Sequence, residues 1–423
     1  MQPDQSRLRA VVEHLQAIDR PPASAGERQA AEWLRERFAA YGLPARVEEE
    51  PATGSFAVPV ALLCAAGAAA GLSRRARPLA GLAGLAAAAG IADDVSAGPH
   101  LFRRLLPRRT TCNVVAEAGD PEAAATVVFV AHHDAANGGV VFHPGPTRWI
   151  AHTFPAWYAK QETSPPLMRL VVAGPALAGL GALLGRSGIR RLGGWMALTS
   201  LLAVGDIAAR SVVPGANDNL AAVAVLVELA RVLGEEPPEG VRVLLLSTGS
   251  EESFMEGMRG FVARHSPGAQ AGGCPVSGRA GRRDQPDAEH RNILLARERT
   301  RFVVLECVGG PEAIVLEGEG MLRMHAYTPA VRDWLAACGE RAGHRLRRGL
   351  RSGFATDALI ALKAGYPTGV LAAIDEYKMA PNYHSQRDVA ANVDFGTVAA
   401  CAQVCLEAVR SLSRRRPAPV PAR

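Results

Sequence analysis

The sequence predicts an α/β fold in which a central sheet is flanked by helices and interrupted by two inserted apolar helical hairpins. Three observations carry that expectation. The β-branched apolar runs Thr126 to Val130, Val241 to Leu246 and Arg301 to Leu305 have strand character, and each delivers His, Asp or Glu immediately after it. An amphipathic helical pattern from Leu220 to Leu233 lies between the first two runs. Four uncharged stretches rich in Ala and Gly come in two pairs, each joined by a short Arg-bearing link.

A chain of 423 residues is long for one domain, so the choice is one large α/β unit with insertions or two domains. The net charge of +6 comes almost wholly from Arg, because Lys160, Lys363 and Lys378 are the only lysines. The sequence has no basic stripe interleaved with aromatic residues, which argues against a nucleic-acid partner. The seven cysteines are an odd number at irregular spacings with no C-x-x-C pair, a pattern expected of reduced, buried thiols rather than a disulfide frame. The first fifty residues are polar and periodic, without a signal-peptide pattern.

In chain order, residues 1–50 are expected to form the opening helices of the α/β domain: apolar spacing predicts two helices between Leu8 and Tyr41, parted by the turn Arg20-Pro21-Pro22. Residues 51–110 form the first apolar hairpin, Pro51 to Ser73 and Pro78 to Ala92, joined by Arg74-Arg75-Ala76-Arg77. The α/β domain is expected to resume at 111–134. Residues 135–210 hold the second hairpin, Leu170 to Gly185 and Leu192 to Gly205, joined across Arg186 to Arg191, and 211–412 complete the domain. Within that last block Ser266 to Glu289 reads as a flexible surface insertion, and residues 413–423 as a disordered tail.

The first apolar stretch has the length of a spanning helix, ~17–25 residues, and the other three are shorter. Small residues at Gly67/Gly71 and from Gly174 to Gly181 suit close helix contact in a bilayer, which makes membrane lipid the expected partner of the hairpins. Buried core hairpins or a subunit interface are the alternative. The side of the membrane is open, since Arg flanks both the links and the catalytic side, at Arg103, Arg104, Arg108 and Arg109.

The candidate site residues follow one another in order: His132 in Ala131-His132-His133-Asp134, Asp218 between Asn217 and Asn219, the pair Glu251-Glu252, Glu306, and His384 with Asp388 four residues on. Two zinc ions, Zn2+, need imidazole and carboxylate ligands plus a group shared between them, and the two oxygens of Asp218 suit the shared position. Asp134, two residues along the same strand end, is placed to hold the second ring nitrogen of His132. Glu251 and Glu252, if extended, point apart, so that one faces an ion and the other, Glu251, acts as base toward a water. His133 is expected to pack. Each motif alone is usually a turn or a solvated face; their joint occurrence at strand ends makes them a site.

The order and wording resemble metallopeptidase family twenty-eight, the dizinc aminopeptidases that also include glutamate carboxypeptidase, glutaminyl cyclases and the transferrin-receptor ectodomain. The matching pieces are Phe129 to Asp134, Pro214 to Asn219, Ser250-Glu251-Glu252 with Gly257 and Phe261, Leu305-Glu306, Ala355-Thr356-Asp357 through Pro367, and Tyr383 to Asp388. The resemblance implies a zinc-dependent exopeptidase fold with a mixed eight-stranded sheet. It also implies two Zn2+ per chain, one held by His132 and Glu306, the other by Glu252 and His384, with Asp218 shared and Glu251 as base. The expected activity is that of an aminopeptidase acting on a peptide with a free N-terminus. The chain departs from the family in two places: Glu306 stands where Asp is usual, and the stretch between Asp134 and Asp218 is much longer. A glutaminyl cyclase-like acyltransferase with one zinc and a catalytically idle binding protein on the same fold are the alternatives. A relative with a lid domain before its last His is disfavoured by the short stretch from Glu306 to His384.

Overall fold

The computed structural model describes residues 3–73, 77–267 and 293–413. Most of the expected surface insertion, the link 74–76 and the tail from 414 lie outside those residues.

Helices α1 (Gln5–Gln16) and α2 (Ala25–Ala40) open the chain. Asp4 and Ser24 cap them, accepting from the N–H of Ser6 and Glu27 at 2.9 and 3.1 Å, which satisfies donors that a helix N-terminus otherwise leaves free. Strand β1 (Ala45–Ala52) leads into the first apolar pair, α3 (Ala57–Leu72) and α4 (Arg77–Val95), and the chain returns through β2 (Arg109–Gly119) and β3 (Thr126–His132). Two short helices, α5 (Gly145–Thr153) and α6 (Pro155–Ala159), precede the second pair, α7 (Met168–Leu183) and α8 (Ser187–Ala209). The remainder is α9 (Ala221–Glu235), β4 (Arg242–Thr248), α10 (Glu256–His265), β5 (Thr300–Glu306), β6 (Glu312–Val315), β7 (Gly318–Glu319), β8 (His325–Ala326), α11 (Pro329–Arg341), β9 (Arg351–Ser352), α12 (Asp357–Lys363), β10 (Thr368–Ile374) and α13 (Phe395–Ser413).

The central sheet has the order β1-β2-β4-β3-β5-β10-β6, with the four inner strands parallel and both flanks antiparallel. Its inner strands are buried on both faces, so their apolar residues run without alternating with polar ones. Val127, Phe129, Val243, Leu245, Val303 and Leu305 pack on the side of α1, α2, α9, α11 and α13. Val128, Val130, Leu244, Leu246, Phe302 and Val304 pack on the side of α10 and α12. From β3 the chain goes first to β4 on one side and then to β5 on the other. The crevice beyond the carboxyl ends of these strands is where open α/β sheets bind ligands.

Among the described residues the central sheet has seven strands, not eight. Beyond β6, Leu316 still donates to the Val370 carbonyl (3.1 Å), but the Glu317 N–H turns to Leu350 (2.8 Å) and its carboxylate pairs with Arg348 (2.7 Å) and Arg332. That draws the chain off the edge, and β7 pairs with β8 and β9 in a separate small sheet.

The apolar helices differ from expectation in length. Pro51 and Ala52 finish β1 opposite Thr110 and Arg109, so α3 begins at Ala57 and has 16 residues, about 24 Å. Helices α4 and α8 instead extend past their uncharged stretches to 19 and 23 residues, long and apolar enough to cross a membrane. Helix α13 also meets that criterion, yet Val398, Cys401, Ala402, Val404 and Cys405 bury it in the catalytic core. Helices α3, α4, α7 and α8 pack as one four-helix unit. The approach of α3 to α8 requires glycine: a Cβ on Gly71 would lie 2.2 Å from the Cα of Gly194. Outward-facing Leu62, Leu79, Leu82, Leu192, Trp195 and Leu202 are exposed. The six described cysteines are free and buried.

Candidate metal centre

The five expected ligands arrive from five separate segments. His132 ends β3, Asp218 precedes α9, Glu252 sits in a turn after β4, Glu306 ends β5, and His384 lies on the loop before α13. Asp218 stands between the two imidazoles, with Oδ1 3.2 Å from His132 Nε2 and Oδ2 3.3 Å from His384 Nε2. Glu306 Oε1 is 3.8 Å from His132 Nε2, and Glu252 Oε1 is 3.2 Å from His384 Nε2. The donor atoms of His132, Asp218 and Glu306 lie within 4.8 Å of one another, as do those of Asp218, Glu252 and His384. Glu251 Oε2 is 3.9 Å from His132 Nε2; it belongs to neither of the two sets that share Asp218, and its donor atom lies within 4.8 Å of those of His132 and Glu252.

Two buried carboxylates hold the loops that present these side chains. Asp134 accepts from the consecutive N–H groups of Glu251 and Glu252, both at 3.0 Å. Asp388 accepts from those of Asn217 and Asp218 at 2.7 and 3.0 Å. Asp134 therefore does more than the orienting role expected of it. Its carboxylate is 3.4 Å from His132 Nδ1, but its main contacts are with the Glu251-Glu252 turn. Asp388 makes no pair with His384, whose Nδ1 has no partner. Asn219 spans to β5, accepting from the Cys307 N–H (3.0 Å) and donating to the Leu305 carbonyl (2.9 Å), while Asn217 accepts from Gly309 N–H (2.7 Å).

The Glu251-Glu252 segment is not extended. It is a single tight turn bracketed by Ser250, Phe254 and Met255 at φ of 51°, 61° and 57°, and Cys307 and His384 are also left-handed, at 49° and 48°. Such non-glycine conformations cost on the order of 1–3 kcal/mol each and concentrate where side chains must be aimed. Here they separate the two glutamates by turn geometry rather than by strand alternation.

Burial alone would lower the pKa of His132, but Asp134, Asp218 and Glu306 reverse this and hold it well above the imidazole range. His384 is likewise pushed up, to about 10, by Glu252 and Asp218. Asp218 stays below the usual carboxylate range despite burial because both imidazoles face it. Glu251 is raised well above its ordinary value by burial and by Glu252, Glu306 and Asp357, against the pull of His132. Four carboxylates crowd two imidazoles, a surplus of negative charge that divalent cations neutralise. The buried His132 Nε2, His384 Nε2 and Asp218 Oδ2 have no hydrogen-bond partner, as expected of atoms that ligate a metal. Imidazole nitrogen and carboxylate oxygen are the donors zinc prefers.

Sequence reasoning missed several supports. Arg20, read only as part of a turn, is fully buried and donates to the carbonyls of Leu15 (2.7 Å), Ile18 (2.9 Å), His133 (2.9 Å) and Pro214 (2.9 Å); burial lowers its pKa to about 10. Glu27 accepts from Ala23, Thr111, Cys112 and both the N–H and hydroxyl of Ser250. Ser24-x-x-Glu27 is a capping-box pattern that could have drawn attention to it. Asp357 bonds the Thr248 hydroxyl beside the site, and burial raises it to about 7. His133 packs as expected, its Nδ1 3.0 Å from Ser247 Oγ.

Residues 202–409 match the model of peptidase family M28, a span that holds Asp218, Glu251, Glu252, Glu306, His384 and Asp388 but not His132 or Asp134. Solved structures of the same fold include a glutaminyl cyclase from Bacteroides thetaiotaomicron bound to N-acetylhistamine, at 14% identity over 97% of this chain and 99% of that one, with a TM-score of 0.54. A Zn-dependent exopeptidase from Parabacteroides distasonis gives 14%, 98%, 99% and 0.53. An aminopeptidase from Aneurinibacillus sp. strain AM-1 gives 13%, 96%, 93% and 0.53. No curated protein matches the chain.

Proposed function

The chain belongs to peptidase family M28, and we propose that it is a membrane-associated, dizinc aminopeptidase. The observation that carries this reading is the placement of Asp218, whose two oxygens face His132 and His384 on opposite sides. One zinc is assigned to His132, Asp218 and Glu306, the other to Asp218, Glu252 and His384. The longer Glu306, in place of Asp, still lies within reach of the first set.

Bound zinc supplies Lewis acidity, polarising a carbonyl and lowering the pKa of a water toward ~7. The chain does the rest. Glu251, held by the Asp134 bond to its backbone, accepts the proton of the attacking water and returns it to the leaving amine as the peptide C–N bond breaks. Tyr383 stacks on His384 with ring centroids 3.9 Å apart, and burial beside Asp218 and Glu252 keeps its hydroxyl protonated, a donor for the oxyanion. The exposed leucines of the four-helix unit support lipid as its surroundings.

Zinc content measured with release of aminoacyl-nitroanilides by detergent-extracted protein tests the reading. Two zinc ions per chain and turnover uphold it. The shared fold of glutaminyl cyclases favours a second reading, cyclisation of an N-terminal glutamine, for which one zinc and ammonia release are the signature. Co-sedimentation with liposomes, washed at high salt, tests the membrane assignment.

A further inference from the structure

The segment between β3 and α7 turns its apolar side outward. Trp149 in α5, Trp157 in α6 and Phe154 between them are each more than half exposed, and Trp149 and Phe154 meet edge to face with ring centroids 6.2 Å apart. Val140 and Val141, in the turn before α5, are exposed too. The polar groups of the same segment engage the protein instead, at the loop that leads to His384. Tyr158 Oη donates to the Tyr377 carbonyl (2.6 Å), His152 Nε2 lies 3.1 Å from the Tyr377 hydroxyl, and Lys378 Nζ donates to the carbonyls of Tyr158, Ala159 and Gln161. Phe142 stands edge-on to His384, with 4.3 Å between ring centroids. Single exposed apolar residues are ordinary on a water-facing surface. An aromatic face turned out while the polar groups bond within is the reverse of what water favours.

We propose that this face seats in the headgroup layer of a bilayer, so that the catalytic domain, and not only the four-helix unit, lies on lipid. The proposal rests on the membrane-associated reading and extends it. Continuity with the apolar helices singles out lipid over a second copy of the chain. Asp206, in the last turn of the membrane-length helix α8, accepts from Val140 N–H (2.7 Å). Pro165-Pro166 then carries the chain into α7, where Leu167 and Leu170 are exposed, and the first hairpin bears exposed Leu101 and Leu105 just after α4. Tryptophan near Arg148 and Lys160 is the composition of a membrane–water interface, where an amphipathic ring sits at headgroup level between basic side chains.

The test reads tryptophan fluorescence from the full chain reconstituted in phosphatidylcholine vesicles that carry a nitroxide near the headgroup or near the acyl-chain end. Trp195→Phe leaves Trp149 and Trp157 as the rings set to face lipid, and Trp149→Phe with Trp157→Phe leaves Trp195 of α8; Trp33 and Trp334 are common to both. The replaced rings are all exposed, so the core is untouched. In Trp195→Phe the headgroup nitroxide is expected to quench roughly half of the Trp149 and Trp157 emission, and more of it than the deep nitroxide does. Quenching of Trp195 alone overturns the proposal and leaves the membrane reading standing; quenching in neither variant overturns both. Shielding of Trp149 and Trp157 from aqueous acrylamide and from both nitroxides marks an interface between copies, which also overturns it. Should a variant not fold, a photoactivatable phospholipid applied to the unaltered chain decides: cross-links within residues 140–157 uphold the proposal, and cross-links confined to the four apolar helices overturn it.

Discussion

Replacing Glu251 by Gln removes one proton acceptor from the centre while leaving almost everything else in place. The two side chains are isosteric, and the loop is held through backbone, by the Asp134 bonds to the N–H groups of residues 251 and 252 (3.0 Å each). The ligand sets through Asp218 do not use the side chain, so both zincs are expected to stay. What disappears is the base. A positioned general base contributes ~10²–10⁴ in rate, which corresponds to about 3–5 kcal/mol of barrier. The loss should fall on kcat, with KM within about threefold of wild type, because substrate and transition state lose binding unequally. The assay is steady-state release of a leucyl-nitroanilide with zinc measured on the same preparation. A variant that keeps wild-type kcat, or one that loses zinc, refutes the assignment of Glu251 as base.

Asp218→Ala is expected to leave His132 and His384 without their common partner and to reduce zinc from two ions to at most one by elemental analysis. Arg103 is buried and joins Asp94 (2.9 Å), Glu256 (3.1 Å) and the Ser253 carbonyl (2.9 Å); Arg103→Met strands those carboxylates, costing about 3–5 kcal/mol in denaturant unfolding and lowering turnover by loosening the turn beside Glu252. Glu27 is raised from 4.5 to about 7 by burial and then by Asp134. An acid whose pKa is higher folded than unfolded stabilises below its unfolded value and loses that contribution as pH rises through the folded one. The contribution of Glu27 to stability should therefore fall by about 3 kcal/mol between pH 4.5 and 8, and Glu27→Gln should be less stable than wild type at acid pH, with a pH dependence flatter by about that amount across the window.

Part of the candidate site was legible because His132, the Glu251-Glu252 pair and Glu306 come at or after the ends of apolar runs that read as buried strands, and strand direction brings the ends of parallel strands together; Asp218 and His384 lie on loops and were marked only by their neighbouring residues. Its supports were illegible for the opposite reason. Arg20 and Glu27 act across more than a hundred residues of sequence, on His133 and Ser250, and nothing local marks an Arg before Pro-Pro as buried. The turn at Glu251-Glu252 was misjudged because its left-handed residues are Ser, Phe and Met rather than the Gly or Asn that signal such backbone in sequence. The departure of β7 from the sheet depends on Glu317 finding Arg332 and Arg348, a long-range pairing that no strand pattern encodes.

The position of the apolar helices follows from the sheet itself. Strand β1 is antiparallel to β2, and β2 to β4, so β1 runs in the same direction as β4 and β3. The first hairpin leaves after the end of β1 and the second after the end of β3, which are therefore at the same end of the sheet, the end that carries His132 and the Glu251-Glu252 turn. Two insertions made there must meet over the site. Their roots do so through shared apolar core: Val60, Ile91, Val204 and Ile207 pack in the same cluster as Phe254 and Met255, directly after the turn. Arg103 adds the polar link from Asp94 at the end of α4 to Ser253. The four-helix unit is thus part of the wall of the catalytic crevice. Excising either hairpin would expose the far side of the turn that presents Glu252, and the expected result is a protein that loses the second zinc, not a soluble version of the same enzyme.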